Sequence, residues 1–159
     1  MNKLRLILGD QLNINHSWFK ENNSKTTYVL MEVKEETSYV LHHAQKIIAT
    51  FAAMRFFAEQ LQQKGFEVIY FKINDKANEQ SFFQNINKII KEKNIGELQY
   101  LEPDEYRLST ELKKLESIEN IKVELVDTEH FLVPKLYAKD FFSEKKHWRM
   151  EEFYRNMRK

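Results

Sequence analysis

Five short apolar runs alternate with longer amphipathic stretches along this 159-residue chain, and the alternation is the main signal for its fold. The first run, residues 4–8, contains four aliphatic side chains without strict polar alternation, which is typical of a strand covered on both faces. Four more strands are predicted over 26–33, 67–73, 98–101 and 121–126. The last alternates cleanly between apolar and polar residues, which predicts an edge strand with one face in water.

The longest amphipathic stretch predicts a helix over residues 39–64, with Thr37 or Ser38 capping its start. Gly65 follows at the position where helices often end in a left-handed residue. The apolar residues of this helix recur at helical spacing and are expected to face the sheet: Val40, Ala44, Ile47, Ile48, Phe51, Met54, Ala58 and Leu61.

Phe56 and Phe57 widen this apolar stripe, which indicates a second contact surface beyond the sheet. Another helix of the same domain is the favoured partner for that surface. A domain outside this chain is the alternative.

The other predicted elements are less regular. They are a loop with a short helical turn over 13–25, a helix from Phe82 that ends at 94–96, a helix from Ser109 or Thr110 to about residue 115, an irregular stretch over 131–137 around Pro134, and a last helix from Ser143. No internal repeat or low-complexity tract interrupts them.

Strands that alternate with helices predict an α/β fold, because parallel neighbours need crossover connections. We expect a doubly wound, Rossmann-like sheet of five parallel strands with helices on both faces. In such a sheet a ligand crevice lies outside the carboxyl ends of the strands, where the connections diverge. Gly9, Asp10 and Gln11 directly follow the first strand and are expected at that crevice.

Composition places limits on the chemistry of the chain. It contains no cysteine, which excludes disulfides, a thiolate nucleophile and cysteine-ligated iron-sulfur clusters within these residues. No apolar run approaches the roughly 20 residues that a membrane helix needs, and the first residues do not resemble a signal peptide. We therefore expect a cytoplasmic protein without a membrane span.

The net charge of +1 hides an uneven distribution. Residues 143–159 carry six Lys or Arg against three Glu, so that segment is at +3 and the first 142 residues are at −2. A nearly neutral body attracts polyanions weakly. DNA is therefore expected to bind weakly or not at all, unless it meets the last helix or a domain outside this chain.

Several common sites are disfavoured by the residues themselves. The three glycines cannot form a dinucleotide fingerprint or a phosphate-binding loop. His42 and His43 are adjacent, so on a helix they point about 100° apart and do not share one metal ion. No metal ligand is therefore predicted. No serine lies in a nucleophile elbow, so no catalytic residue is predicted either.

Carboxylates after two neighbouring strands are the main candidates for binding. Asp10 and Glu36 can converge on the crevice and accept hydrogen bonds from hydroxyls or ring N–H groups. The alternatives are that Asp10 caps a turn or helix and that Glu36 is a solvated first-turn residue. Gln11 can form hydrogen bonds with the polar edge of a heterocycle or with backbone groups. Glu32, inside the second strand, needs a partner if it points inward.

Other residues near this end of the sheet are candidates for its border. Tyr39 and His43 can line the crevice, although packing is the favoured role for both. Glu105, Tyr106 and Arg107 follow the fourth strand and can either touch a ligand or close the end of the sheet.

Six segments, in order, resemble one protein family. They read LILGDQL at 6–12, VLMEV at 29–33, YVLHH at 39–43, AMRFFA at 53–58, EPDEYR at 102–107 and RMEEFYR at 149–155. Each is short, but together they run almost from end to end. The chain resembles the N-terminal antenna domain of the deoxyribodipyrimidine photolyase-related family, the iron-sulfur bacterial cryptochromes and prokaryotic 6-4 photolyases.

The resemblance implies a strand order of 3-2-1-4-5 and a longer parent flavoprotein that acts in DNA repair or blue-light reception. In the family, FAD and a four-iron four-sulfur cluster belong to a helical domain that follows this one, so this segment alone is expected to lack enzyme activity. An antenna chromophore, 6,7-dimethyl-8-ribityllumazine, is the implied ligand. It carries no phosphate, which agrees with the scarcity of glycine.

The implied crevice residues are Gly9, Asp10, Gln11, Glu32, Glu36, Tyr39 and His43. We divide the chain into an α/β domain over 1–142 and an amphipathic helix over 143–159 that leads to or docks the flavin-binding domain. That helix carries an apolar stripe with arginines around it, which favours docking over DNA reading. Its stripe comprises Trp148, Met150, Phe153, Tyr154 and Met157. The alternative function is a stand-alone Rossmann-like module for a nucleotide-like metabolite or a partner protein.

Overall fold

Five parallel strands form one sheet in the computed structural model, which describes residues 1–133, 135–144 and 147–158. The strands are β1 Asn2–Leu6, β2 Thr26–Met31, β3 Glu67–Phe71, β4 Ile95–Leu101 and β5 Lys122–Val126. Their spatial order is β3-β2-β1-β4-β5, and every neighbouring pair is parallel. The predicted fold class and strand order are therefore confirmed.

Six helices occur in the described residues. They are α1 Lys34–Ser38, α2 Ala44–Gln63, α3 Phe82–Lys93, α4 Tyr106–Leu112, α5 Lys135–Phe142 and α6 Met150–Met157. Short 3-10 turns span Ser17–Phe19 and Lys113–Ser117, and the first is the helical turn expected within the 13–25 loop. The chain consists of two compact units, Met1–Asp127 and Thr128–Lys159.

The sheet separates two apolar cores within the first unit. Residues of α3 and α4, such as Ile86 and Leu112, pack against Leu4 and Leu6 on one face. On the other face, the core is formed by α2 and the aromatic loop after β1: Ile7, Trp18, Tyr28, Leu30, Met54, Phe57, Ala58, Leu61, Phe66 and Leu101. Helices on both faces explain why β2 is buried at every position. The first strand lies two residues earlier than the predicted 4–8, and within it Lys3 and Arg5 alternate with the buried Leu4 and Leu6.

The long helix predicted over 39–64 is divided in the structure, which corrects the predicted start. Thr37 and Ser38 lie in α1, where both hydroxyls donate to the Lys34 carbonyl rather than capping a following helix. The cap of α2 is His43, whose Nδ1 accepts a hydrogen bond from the Gln45 N–H at 3.2 Å. The predicted end is confirmed, since Gly65 has a φ of +85°.

The predicted apolar stripe of this helix is only partly right. Met54, Ala58 and Leu61 are buried against the sheet, as expected. The early positions Val40 and Ile48 are exposed, because the helix starts later than predicted and its first turns lie beyond the sheet core. Phe57 is buried whereas Phe56 is 62 % exposed, so the second contact predicted for Phe56 is absent among the described residues.

Further boundaries also differ from the predictions. β4 begins at Ile95, because Asn94 takes the left-handed conformation that ends α3 and leads directly into the strand. α4 begins at Tyr106 rather than at a Ser109 or Thr110 cap, since the Thr110 hydroxyl donates to the Tyr106 carbonyl inside the helix. Glu102 and Pro103 end β4 as expected.

The second unit contains helices in places that the sequence did not predict. Lys135–Phe142 forms α5, although 131–137 was expected to be irregular, and Pro134 lies outside the described residues. The last helix starts at Met150 rather than Ser143. Within this unit, the rings of Phe141 and Phe142 contact Phe153, and Asn156 donates a 2.8 Å hydrogen bond to the Tyr137 hydroxyl. Aromatic packing between the two short helices accounts for their formation.

A buried carboxylate joins β2, β3 and α2 at the carboxyl end of the sheet. Glu32 is fully buried, and Arg55 donates to both of its carboxylate oxygens, with Nε–Oε1 at 2.6 Å and Nη2–Oε2 at 2.8 Å. The Tyr70 hydroxyl and the Ile73 N–H each donate at 2.8 Å. The partner that an inward Glu32 requires is therefore supplied by α2 and by the end of β3.

Burial and hydrogen bonding act in opposite directions on this carboxyl group. Burial favours the neutral acid, but the donors from Arg55, Ile73 and Tyr70 outweigh it and hold the pKa of Glu32 below its ordinary value of 4.5. Burial and the same carboxylate raise the pKa of the Tyr70 hydroxyl, which therefore stays a donor. The ion pair is charged throughout the neutral range.

We expect Glu32→Gln to lower the free energy of unfolding by about 2 to 4 kcal/mol, because a neutral amide cannot accept from all four donors. Glu67→Gln is the matched control, since Glu67 forms an exposed ion pair with Lys93 and should cost less than about 1 kcal/mol. Urea unfolding measures both. Equal effects of the two substitutions would contradict this role of Glu32.

The contribution of Glu32 should also depend on pH. Its folded-state pKa lies below the unfolded value, so its stabilisation is present above pH 4.5 and is lost as the pH falls through the folded pKa. The difference in stability between the wild type and Glu32→Gln should therefore shrink in acid.

Candidate functional site

A crevice with a volume of about 230 Å³ opens at the carboxyl ends of β1 and β2. The loop after β1 contributes Gly9 and Asp10, while α1 and the turn before α2 contribute Glu36, Tyr39 and His42. The apolar walls consist of Leu8, Met31, Val33, Ile47, Phe51, Met54, Phe82 and Leu108. The crevice therefore lies where the topology of a doubly wound sheet places a ligand.

Gly9 allows α2 to approach the loop after β1 closely. A methyl group added at Gly9 would lie 2.9 Å from Cγ2 of Thr50 and 3.0 Å from Sδ of Met54. Both distances are shorter than van der Waals contact, so a larger residue would displace α2 or its side chains. Glycine is thus needed here for packing rather than for an unusual backbone angle.

Asp10, Lys46 and Thr50 line the crevice, and in the described part of the chain their side chains have no hydrogen bond or ion pair. The Asp10 carboxylate is exposed at the edge of the crevice. Lys46 and Thr50 are one helical turn apart on α2 and both line the crevice. These groups are free to bind a ligand that offers both donors and acceptors.

His42 presents a buried nitrogen without a partner. Its Nε2 atom is the one buried side-chain nitrogen or oxygen among the described residues that has no hydrogen bond. The ring is fixed by an edge contact with Tyr39, with the ring centroids 4.9 Å apart. Buried polar atoms are rarely left unpaired, so this nitrogen needs a partner that the described residues do not supply.

Glu36 lines the crevice, but its carboxylate is already paired. Arg107 donates from Nη1 and Nη2 to Oε1 at 3.1 Å and from Nη2 to Oε2 at 2.9 Å. The hydrogen bond to Glu36 is the main cause that raises the pKa of Arg107 above its ordinary value, so the guanidinium stays charged. Glu36 is therefore an ion-pair partner that still borders the site.

Arg107 also contacts two other residues of the border. Its guanidinium carbon lies 3.8 Å from the centre of the Tyr39 ring, which is a close cation–π contact. Its Nε donates to Glu105 at 2.8 Å. Glu105 lines the crevice, whereas Tyr106 is 86 % exposed and does not.

Gln11 and His43, which were also predicted at the site, form hydrogen bonds with backbone groups near the crevice. Gln11 is buried, and its side chain accepts from the Leu8 N–H at 3.2 Å and donates to the Leu101 carbonyl at 3.3 Å. His43 caps α2, as described above. Glu32, Gln11 and His43 are not among the residues that line the crevice.

His42, Lys46 and Thr50 are polar crevice residues that the sequence analysis did not identify as candidates for binding. Lys46, Thr50 and Met54 are four residues apart on one face of α2, and His42 continues this spacing in the turn before the helix. That spacing was the available signal. The apolar stripe is the stronger pattern in this stretch, and it does not indicate these polar positions.

Two kinds of feature are absent from the described residues. Within ranges 1–133, 135–144 and 147–158, no group of three His, Cys, Asp or Glu side chains is arranged to hold a metal ion. None of the helices in those ranges has the length and apolar character required to cross a bilayer.

Comparisons with known proteins agree with this fold and with the motifs. The model of the family described as "Deoxyribodipyrimidine photo-lyase-related protein" matches residues 5–159. A (6-4) photolyase from Agrobacterium fabrum (strain C58 / ATCC 33970) is 36% identical over 160 residues. The alignment covers 100% of this chain and 32% of that protein, so the chain spans about a third of the curated relative, its N-terminal part.

The close approach at Gly9 gives a test of the crevice geometry. We expect Gly9→Ala to lower the free energy of unfolding by about 1 to 3 kcal/mol, since the added methyl group overlaps Thr50. Thr50→Ser removes the Cγ2 atom and should restore most of that loss in the double variant. Urea unfolding of both single variants and the double variant measures the coupling. Simple additivity of the two effects would contradict the proposed overlap.

Proposed function

Because this chain belongs to the deoxyribodipyrimidine photolyase-related protein family, we propose that it acts as the antenna-chromophore-binding N-terminal domain of a photolyase- or cryptochrome-type flavoprotein. The family match supports the kind of parent protein. The crevice at the ends of β1 and β2 supports the binding role.

The observation that carries the binding proposal is the unpaired Nε2 of His42 beside a crevice whose inner walls are apolar. A flat heterocycle gains from burial against residues such as Met31 and Phe51, and its polar edge gains from a hydrogen bond to His42. Asp10 at the edge can accept from hydroxyl groups. The proposed ligand is 6,7-dimethyl-8-ribityllumazine, which combines a flat ring system with a polyol and would collect light for the parent.

The size of the crevice limits how much of such a ligand it encloses. Its 230 Å³ is below the range of about 300 to 1,000 Å³ that is usual for small-molecule sites. The ring system is the part that matches the apolar walls. The polyol is then left for the polar edge, where Asp10 and Lys46 lie.

Lys46 favours a second candidate ligand. It lines the crevice and has no ion pair in the described ranges of the chain, so it can neutralise a phosphate group. A phosphorylated heterocycle would correspond to a stand-alone module that binds a nucleotide-like metabolite. Flavin mononucleotide is a suitable probe because it has both a flat ring system and a phosphate.

The proposed partner is a flavin-binding helical domain of the same parent chain. The length difference from the relative supports a larger parent, in which FAD and an iron-sulfur cluster would be held outside these residues. Several apolar side chains of the second unit are exposed and are suitable for docking: Leu132, Leu136, Trp148, Met150 and Tyr154.

DNA would be bound by the parent and weakly, if at all, by this segment. A cytoplasmic location and DNA repair or blue-light reception remain proposals for the parent.

The binding proposal predicts a measurable affinity for the lumazine. Fluorescence titration of the 159-residue chain should show saturable binding, and Asp10→Ala and His42→Phe should each weaken it by about tenfold, as the loss of one hydrogen bond implies. His42→Phe keeps the aromatic contact with Tyr39 and removes only the ring nitrogens.

His43→Asn is the matched control for that titration. Asparagine preserves the cap of α2, and His43 does not line the crevice, so the affinity should be unchanged. Absence of lumazine binding to the wild type would contradict the antenna proposal for this chain. Tighter binding of flavin mononucleotide that is lost in Lys46→Ala would favour the phosphorylated ligand instead.

A further prediction concerns the parent's flavin. The isolated chain should not retain stoichiometric FAD or repair ultraviolet-damaged DNA, because those tasks belong to the helical domain in the proposed parent. Absorption spectra after incubation with FAD and desalting, with the lumazine as the positive control, measure retention. A stable flavin spectrum at one equivalent per chain would overturn the division of tasks.

A further inference from the structure

We propose that Arg107 is a positioning residue that holds one wall of the crevice without lining the crevice itself. The wall segment, residues 36–43, joins α1 to α2 and contributes Glu36, Thr37, Tyr39 and His42 to the crevice. Arg107 is absent from the lining but contacts two of these residues. The inference rests on the proposed ligand site and concerns how that site keeps its shape.

The two ends of α1 are attached differently. At its start, the Lys34 N–H donates to Gln80 and the Glu35 carboxylate accepts from the Phe82 N–H, each at 3.2 Å, so this end is tied to α3 and the loop before it. The wall segment lies beyond those contacts. Its Val40 and Leu41 side chains are exposed and add little packing.

Arg107 supplies the polar attachment of the wall segment. Within the described part of the chain, residues 36–43 form hydrogen bonds to a strand or to a helix other than α1 and α2 only through Arg107. In each of these bonds the guanidinium donates to Glu36. One face of the guanidinium covers the Tyr39 ring at 3.8 Å, while its edge binds Glu36. Arg107 belongs to α4, which follows β4, so it links connections on both sides of β1.

The contact reaches the proposed ligand position through one intermediate. Arg107 covers Tyr39, and the Tyr39 ring meets the His42 ring with centroids 4.9 Å apart. Loss of the guanidinium would therefore free the ring that fixes His42 and its unpaired Nε2. A ligand would then bind only to the fraction of molecules in which the wall is in place.

The geometry of the guanidinium also predicts which substitutions are tolerated. Lysine keeps the positive charge, but it has no planar group. It cannot cover the Tyr39 ring and bind both oxygens of Glu36 at the same time, as the guanidinium does. Arg107→Lys should therefore restore part of what Arg107→Ala loses. A purely long-range effect of charge would make lysine equivalent to arginine.

Two measurements test the proposal, and the first needs no ligand. The ring signals of Tyr39 in a proton–carbon NMR spectrum, assigned with Tyr39→Phe, should move toward the values of an unfolded peptide in Arg107→Ala and only partway in Arg107→Lys. The control Lys114→Ala removes another ion pair near α4, with Glu111, and should leave the Tyr39 signals unchanged. Unchanged Tyr39 signals in Arg107→Ala would overturn the positioning role.

The second measurement is lumazine affinity in the same variants. The dissociation constant should rise by about five- to tenfold in Arg107→Ala, which matches the combined loss of a partly exposed ion pair and a cation–π contact. It should rise less in Arg107→Lys and not at all in Lys114→Ala. Moved Tyr39 signals with unchanged affinity would overturn the link between Arg107 and ligand binding.

The two proposals fail in different ways. A wild-type chain that does not bind the lumazine contradicts the proposed function, while the Tyr39 signals still decide whether Arg107 holds the wall. Reduced affinity in Arg107→Ala with unchanged Tyr39 signals would instead mean that Arg107 meets the ligand directly. Urea unfolding of every variant confirms that the compared proteins are equally folded.

Discussion

The buried charge of Glu32 is the constraint on which the carboxyl end of the sheet depends. A carboxylate without water must be fully hydrogen-bonded, and here the donors come from α2, β3 and the turn after β3. Satisfying this one group therefore fixes three pieces of backbone relative to β2. The position of α2 over the β1 loop, and with it the crevice beside Gly9, follows from that arrangement.

The crevice itself is built in two layers with different physical origins. Its floor and inner walls are apolar residues of the sheet and α2, held by burial in the two cores. Its rim is made of side chains from short connections and is held by ion pairs and ring contacts. The floor therefore depends on the same burial that stabilises the domain, whereas the rim depends on a few polar contacts.

The sequence was sufficient for the strands and helices of the sheet because apolar runs and helical spacing indicate burial, as in β2 and α3. The order of the strands followed from the family resemblance and not from those patterns. It was less informative where side chains compete for local roles. His42 and His43 have the same chemistry, and only the backbone turn decides that His43 caps α2 while His42 faces the crevice. The pairing of Glu36 with Arg107 joins residues far apart in sequence, and no local pattern contains that information.

The composition of the rim has a consequence for how this fold can diversify. Because α1 and α4 meet across β1 through side chains and not through backbone pairing, the mouth of the crevice can be rebuilt by a few substitutions while every strand stays in register. One scaffold can then accept chemically different ligands during evolution. A change of ligand would leave the framework of the domain intact.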